Sequence, residues 1–331
     1  MSNPIAIIGA GIAGLACARR LQTAGGIVVL FDKGRSPGGR MATRRVETPT
    51  GTHQFDHGAQ FFTARDAAFQ AALTDLTKIA PSPIAPWPDD LATLANGKTT
   101  TATAEPRFIG TPGMSAVPKA MAHGLSLRLS SRVTGIERVG PTWTLTLESG
   151  QTEGPFSAVI VAVPAEQAGA LLLPHAPDMA LEAQTARAAP CWAGLFAFDQ
   201  PTPTPFPALR LEDHPILAWI ACDSAKPGRT ANSVCWVAHA RSDWTRTNLE
   251  KTEEEIAPLL QRALTDLFDT PSTPSFAKAH RWRYAQVEQA APQPYAWNDQ
   301  LQLGACGDWR IGPRVESAWL SGHHLAGAIL A

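Results

Sequence analysis

Three glycines and an acid are the first residues here with chemistry in their spacing. Gly9, Gly11 and Gly14 stand in G-x-G-x-x-G order, and Asp32 follows some way beyond the last of them. In this pattern Gly9 makes a tight turn, Gly11 lets backbone approach a pyrophosphate, and Gly14 lets a helix lie close on a sheet. The free N–H groups at that helix's start attract phosphate. Asp32 is placed to accept hydrogen bonds from ribose hydroxyls. The set predicts dinucleotide binding and does not by itself separate NAD from FAD.

Further candidates lie downstream. GRSPGGRMATRR, 34–45, is a Gly- and Arg-rich loop. Gly38 and Gly39 permit close backbone approach, and Arg40, Arg44 and Arg45 offer forked donors to phosphate. The alternative is a solvated basic loop. In HQFDHGAQFFT, 53–63, Gly58 and Ala59 are small, as a segment passing beside a ring system requires. Near the C-terminus Gly307-Asp308 precede a helical stretch, whose N-terminal dipole end would favour negative charge on a reduced ring. AHRWRYAQ, 279–286, is a dense cationic and aromatic cluster. Among its residues and their neighbours, Trp282 and Tyr284 are candidate walls for a flat substrate, and His239 a candidate hydrogen-bonding group. Trp282 and His239 read equally as core side chains. Arg281 or Arg283 could face a substrate phosphate, with at least one of them simply solvated. No His/Cys/Asp/Glu set has metal spacing, so no metal is expected, and no Ser-His-Asp signature appears.

The elements that must position these residues follow from periodicity. Pro4–Ile8 and Ile27–Phe31 are short apolar runs of the kind buried parallel strands need, and Ile12–Ala24 between them is an Ala-rich helix. Asp66 is a plausible cap for a helix ending near Leu76, and Ser115 for a short helix stopped by Gly124. Val133–Val139, Trp143–Leu147 and Phe156–Val163 read as a β-meander whose last, uniformly apolar part rejoins the parallel sheet. Leu195–Phe198, Leu217–Ala221 and Val234–His239 read as strands of another sheet. A helix within 249–268 carries a Thr252/Glu255 capping box, and Pro258 predicts that its regular part starts only shortly before that proline. The prolines cluster at 81–88, 201–207 and 271–274, which read as surface loops.

The chain has 331 residues, 44% hydrophobic and 17% charged, with a formal net charge of -1 and no Lys/Arg block. That composition is globular and argues against nucleic-acid or anionic-membrane partners. Five cysteines without CxxC spacing read as buried free thiols of a reducing compartment. No signal peptide and no transmembrane run is expected, which predicts a cytoplasmic protein.

GAGIAG at 9–14, PGGRMATRR at 37–45, DHGAQFF at 56–62 and CGDW…VESAWLSG at 306–322 resemble, in order and spacing, the FAD-binding amine oxidases and desaturases. Ser36 stands where that pattern's first arginine belongs. Within this superfamily the chain resembles the renalase family, especially its bacterial renalase-like members, through the FDK strand end followed by GGRM, the GAQ segment, WVAH at 236–239 and HRWRYAQ at 280–286. The resemblance implies an α/β fold: a glutathione-reductase-like Rossmann FAD-binding domain with a β-meander, from 1–70, 105–165 and 295–331, plus a mixed-sheet and helix substrate domain, from 71–104 and 166–294. It implies FAD held by Gly9, Gly11, Ala13, Gly14, Asp32, Lys33, Arg40, Ala59, Gln60, Val133, Asp308 and Ala318. The implied activity is oxidation of the 2- and 6-dihydro isomers of NAD(P)H, with dioxygen as the final acceptor. His239, Trp282 and Tyr284 would serve that substrate. An amine oxidase and a non-catalytic flavin-binding protein are the competing expectations.

Overall fold

The computed structural model describes residues 3–48, 51–87, 91–101, 105–200, 206–229, 233–268 and 273–331. A six-stranded sheet runs, in spatial order, through Ser126–Arg128, Val28–Phe31, Ile5–Ile8, Ala158–Val161, Leu303–Ala305 and Ala296–Asn298. Its strands pair in parallel except the last. Ala158–Val161 is buried at every position, as a strand covered on both faces must be. The helix Ile12–Thr23 covers this sheet with small side chains, among them Ala13, Ala16, Cys17 and Ala18. The last helix, Val315–Leu330, lies directly on it. A methyl group at Gly322 would stand 1.9 Å from the carbonyl oxygen of Ala13, and Arg20 donates to the His323 carbonyl at 2.8 Å. The two ends of the chain therefore pack against each other.

The meander comprises Val133–Val139, Thr142–Leu147 and Thr152–Phe156, antiparallel throughout, so its third strand precedes the expected Phe156–Val163, whose core Ala158–Val161 lies wholly in the parallel sheet. A seven-stranded sheet has the order Phe276–Gln289, Arg187–Phe198, Val234–Ala240, Leu217–Cys222, Ala208–Leu211, Leu91–Ala95 and Lys98–Thr101. The helix Glu253–Thr265 covers it with Ile256, Leu260, Ala263 and Leu264, and carries the Thr252/Glu255 capping box.

Three local expectations need correction. The stretch 81–88 is not wholly loop, because Ile84–Trp87 forms an edge strand beside Arg107–Gly110. An edge position leaves Pro86 without a ladder bond to lose, while Ile84 and Trp87 bury their side chains. The capped helix starts at Glu253, well before Pro258, since its apolar face and cap outweigh one missing backbone bond. Ser115 sits at the helix start, but its hydroxyl makes no cap bond. Most of the proline cluster at 201–207, and Pro271 of 271–274, lie outside the described residues.

Candidate functional site

One cavity of about 1970 Å³ lies between the two large sheets. That is roughly twice the upper end of ordinary small-ligand pockets, about 1,000 Å³. Its wall contains Gly9, Gly11, Ala13, Asp32, Lys33, Arg40, Ala59, Gln60, Val133, Asp308 and Ala318, together with His239, Trp282 and Tyr284. Of the residues expected to hold FAD, Gly14 alone is absent from the wall, and its place explains why. A methyl group there would stand 2.0 Å from the Gly9 carbonyl oxygen, so its hydrogen permits helix against turn. Gly9, at φ +108°, makes the turn itself. Gly11 has open space where a side chain would be. That opening beside a helix N-terminus is a cradle for pyrophosphate, and the residues present fit a dinucleotide cofactor.

Asp32 braces this end. Its two carboxylate oxygens accept from Ala10 N at 2.6 Å and Gly34 N at 2.7 Å. Arg40 and Asp308, far apart in sequence, form an ion pair at 2.6 Å, and Arg40 also donates to the carbonyls of Tyr284 and Ala285. Arg44 and Arg45 do not join them. They belong to the hairpin strand Arg44–Thr48 and lie outside the wall. Gly58 lines the cavity and is small for a further reason, since a side chain there would strike the Arg40 carbonyl at 2.1 Å.

The other end is aromatic. Trp282 Nε1 donates to the His57 carbonyl at 3.0 Å, and His239 Nε2 meets the same oxygen at 3.1 Å. A carbonyl only accepts, so His239 carries its proton on Nε2 and keeps Nδ1 as an acceptor. The His57 and Trp282 rings stack at 5.1 Å, and His280 stands edge-on to both, at 4.7 and 4.6 Å. His57 Nδ1 is buried and makes no hydrogen bond among the described residues. Burial lowers His57 to about 3, with His280 and Arg44 adding to the effect, and burial lowers His239 to about 4. His280 is lowered too, again chiefly by burial. The cage is thus three neutral imidazoles and an indole.

Strand alternation decides the arginines of this segment. His280, Trp282 and Tyr284 share one face of their strand, and Arg281 and Arg283 take the other. There both are held by Glu250, Arg283 in a two-pronged pair at 2.7 Å and Arg281 at 3.6 Å. Both also line the cavity, so these exposed pairs with Glu250 sit at its edge.

Beneath the cage lies a buried charge cluster. Asp56, Asp223 and Lys226 have side chains fully shielded from solvent, and Arg229 nearly so. Lys226 reaches Asp223 at 2.6 Å, Asp56 at 3.3 Å and Gln60 Oε1 at 3.1 Å, and Arg229 pairs with Asp56. Burial pushes the Asp56 carboxyl up, but Lys226 and Arg229 carry it below its ordinary value. Asp223 is raised, first by burial and then by Asp56. Gln60 spends its side-chain amide on Lys226 and the Asp56 carbonyl, so it meets the cavity from within this cluster. His57, His280 and the cluster were missed as site residues. DHG in sequence hints at His57, but nothing local joins Asp56 to residues 223–229.

The remaining titratable candidates are inert. Burial raises the Cys191 and Cys306 thiols to about 12, and all five cysteines are free. No group of three or more metal-ligating side chains occurs among the described residues. Among them, no helix is long and apolar enough to cross a membrane.

Two family models match the chain. Residues 7–76 match an NAD(P)-binding Rossmann-like domain, and residues 87–330 match flavin containing amine oxidoreductase. Similar solved structures include cyclohexylamine oxidase from Brevibacterium oxydans IH-35A, at 14% identity and TM-score 0.74, with 99% of each chain covered. A putative protoporphyrinogen oxidase from Exiguobacterium sp. 255-15 superposes at 13% identity and TM-score 0.72, again over 99% of each chain. Putrescine oxidase bound to putrescine does so at 13% and 0.72, covering 100% of this chain and 99% of its own. At these identities the likeness is one of fold.

Proposed function

Since the chain belongs to the flavin-containing amine oxidoreductases and its cofactor is FAD, we propose that it oxidises the 2- and 6-dihydro isomers of NAD(P)H to NAD(P)+. The observation that carries this reading is the neutral cage of His57, His239, His280 and Trp282. FAD, when bound, would supply the hydride acceptor, and the overall reaction balances as dihydro-NAD(P), dioxygen and a proton giving NAD(P)+ and hydrogen peroxide. Hydride loss restores an aromatic pyridinium, and no strong base is needed. The cage offers none, because its imidazoles are too weakly basic to hold a proton near neutral pH. Its flat rings suit a flat substrate ring held at reacting distance. His239 Nδ1 is the acceptor for a carboxamide N–H, and the orphaned His57 Nδ1 awaits a ligand partner. Arg40 and Asp308 at the glycine-rich end hold the cofactor's phosphate and ribityl region. The renalase-like segments at 236–239 and 280–286 supply two walls of the cage, which further supports the reading.

Amine oxidation is the second reading. The family description and the aromatic cage favour it, since such a cage also admits a neutral amine. Anaerobic stopped-flow reduction of the flavin separates the two. The 2- and 6-dihydro isomers should bleach it quickly, and NAD(P)H, cyclohexylamine and putrescine slowly. Fast bleaching by amines alone would overturn the first reading, and bleaching by none would leave a binding protein. His239→Ala should slow reduction by the isomers about tenfold with FAD still bound.

A further inference from the structure

The cavity wall is far more basic than the chain. Among the described residues it holds nine arginines and one lysine against five carboxylates, while the whole chain has a formal net charge of -1. Four of these arginines pair with carboxylates at scattered points. Arg281 and Arg283 serve Glu250, and Arg40 serves Asp308. Arg241 pairs with Asp243 and donates to the Glu212 carbonyl. A different arrangement occurs where the cavity opens beside the last helix. Arg65, Arg107 and Arg314 there gather around the exposed carboxylate of Glu105.

This group is built into the fold. Glu316, 1% exposed, accepts the backbone N–H groups of Arg65 and Asp66, both at 2.6 Å, and pairs with Arg314 at 2.9 Å. One buried carboxylate thus ties the Arg65 backbone to the Arg314 side chain. Arg107 lies 5.2 Å over the Phe61 ring, which fixes the third. Phe61 in turn meets Trp219, and Trp219 pairs across the sheet with His239 of the cage. Phe61 and Trp219 therefore form an unbroken wall between the cage and the arginines.

We propose that Arg65, Arg107 and Arg314 form a phosphate subsite, which takes the pyrophosphate of a dinucleotide substrate while its reacting ring lies in the cage. The proposal rests on the dihydropyridine-nucleotide reading above. Glu105 is the placeholder: its carboxylate occupies the Arg65 fork as a phosphate would. The pair is solvent-exposed, with side chains 61% and 37% accessible, so it holds weakly and yields to a doubly charged ligand. FAD does not compete for this position, because its own phosphates belong at the Gly11 end of the cavity.

The test has two arms on the FAD-loaded protein. In the first, ADP-ribose, which has the pyrophosphate but no reacting ring, is titrated calorimetrically. Arg65→Gln should weaken its binding about tenfold or more, and Glu105→Gln should tighten it several-fold. Unchanged binding in both variants, or no ADP-ribose binding by the native protein, overturns the subsite. In the second arm, anaerobic flavin reduction compares dinucleotide isomers with the phosphate-free dihydropyridine riboside. The dinucleotide should bind more tightly than the riboside, and Arg65→Gln should bring the two together. If no dihydropyridine reduces the flavin, the proposed function fails, while the ADP-ribose arm still decides the subsite.

Discussion

The two ends of the cavity are built in opposite ways. At the nucleotide end, Gly9, Gly11, Gly14 and Asp32 come from one continuous βαβ stretch, and their geometry is set by what a methyl group would strike. At the cage end, His57, His239, His280 and Trp282 come from three separate segments joined by sheet register and by two donors on one carbonyl. The first end is a local motif. The second exists only when the seven-stranded sheet is assembled over the 56–60 loop. Local motifs are robust in sequence and say little about chemistry, whereas an assembled site carries the chemistry and leaves weak local traces.

The contrast can be broken from either side. Gly14→Ala places a methyl group against a backbone oxygen that cannot move away. It should cost about 4 kcal/mol or more and abolish FAD retention. Flavin absorbance of the purified protein and its thermal midpoint check this. A variant that kept FAD and near-native stability would show that the βαβ turn is not as tight as its geometry.

Lys226→Met removes one member of the buried cluster beneath the cage and leaves Asp223 and Asp56 short of a partner. It should cost about 3 kcal/mol in denaturant unfolding, because a buried charge is left uncompensated. FAD should stay bound, since the cluster does not touch the glycine-rich end. Loss of FAD instead would show that the two ends are one cooperative unit.

The contribution of a single cage imidazole is read from pH dependence. His57 and His239 are neutral in the folded protein down to about pH 3 and 4, whereas their unfolded-state value is 6.5. The unfolded chain therefore binds more protons between these limits, and stability falls as pH drops below 6.5. Above 6.5 this contribution is fully present. The slope should approach about 1.4 kcal/mol per pH unit for each imidazole. Unfolding midpoints between pH 7 and 5 measure it, and His239→Phe should reduce the slope. A flat profile would mean that the cage admits water and charges freely.

Much of the frame was legible in the sequence. The buried strands Ile5–Ile8 and Val28–Phe31, the capping box at Thr252 and the meander all announce themselves through short-range periodicity or turn chemistry. Pro86 misled because an edge strand tolerates what a central strand does not. The Arg40 carbonyl against Gly58 is a contact that no spacing rule shows.

The sequence by itself determined a dinucleotide-binding βαβ unit, since glycine spacing, apolar runs and a terminal acid are properties of adjacent residues. It also determined that Arg281 and Arg283 share a face opposite Trp282, since strand alternation is local. Only the tertiary structure decided which face built the cage. Only there do Glu250 claim those arginines, Arg40 find Asp308, and the His57 carbonyl gather Trp282 and His239. The physical reason is range. Backbone sterics and side-chain periodicity act over a few residues, whereas charge pairing and desolvation depend on which distant groups the folded sheets bring into contact.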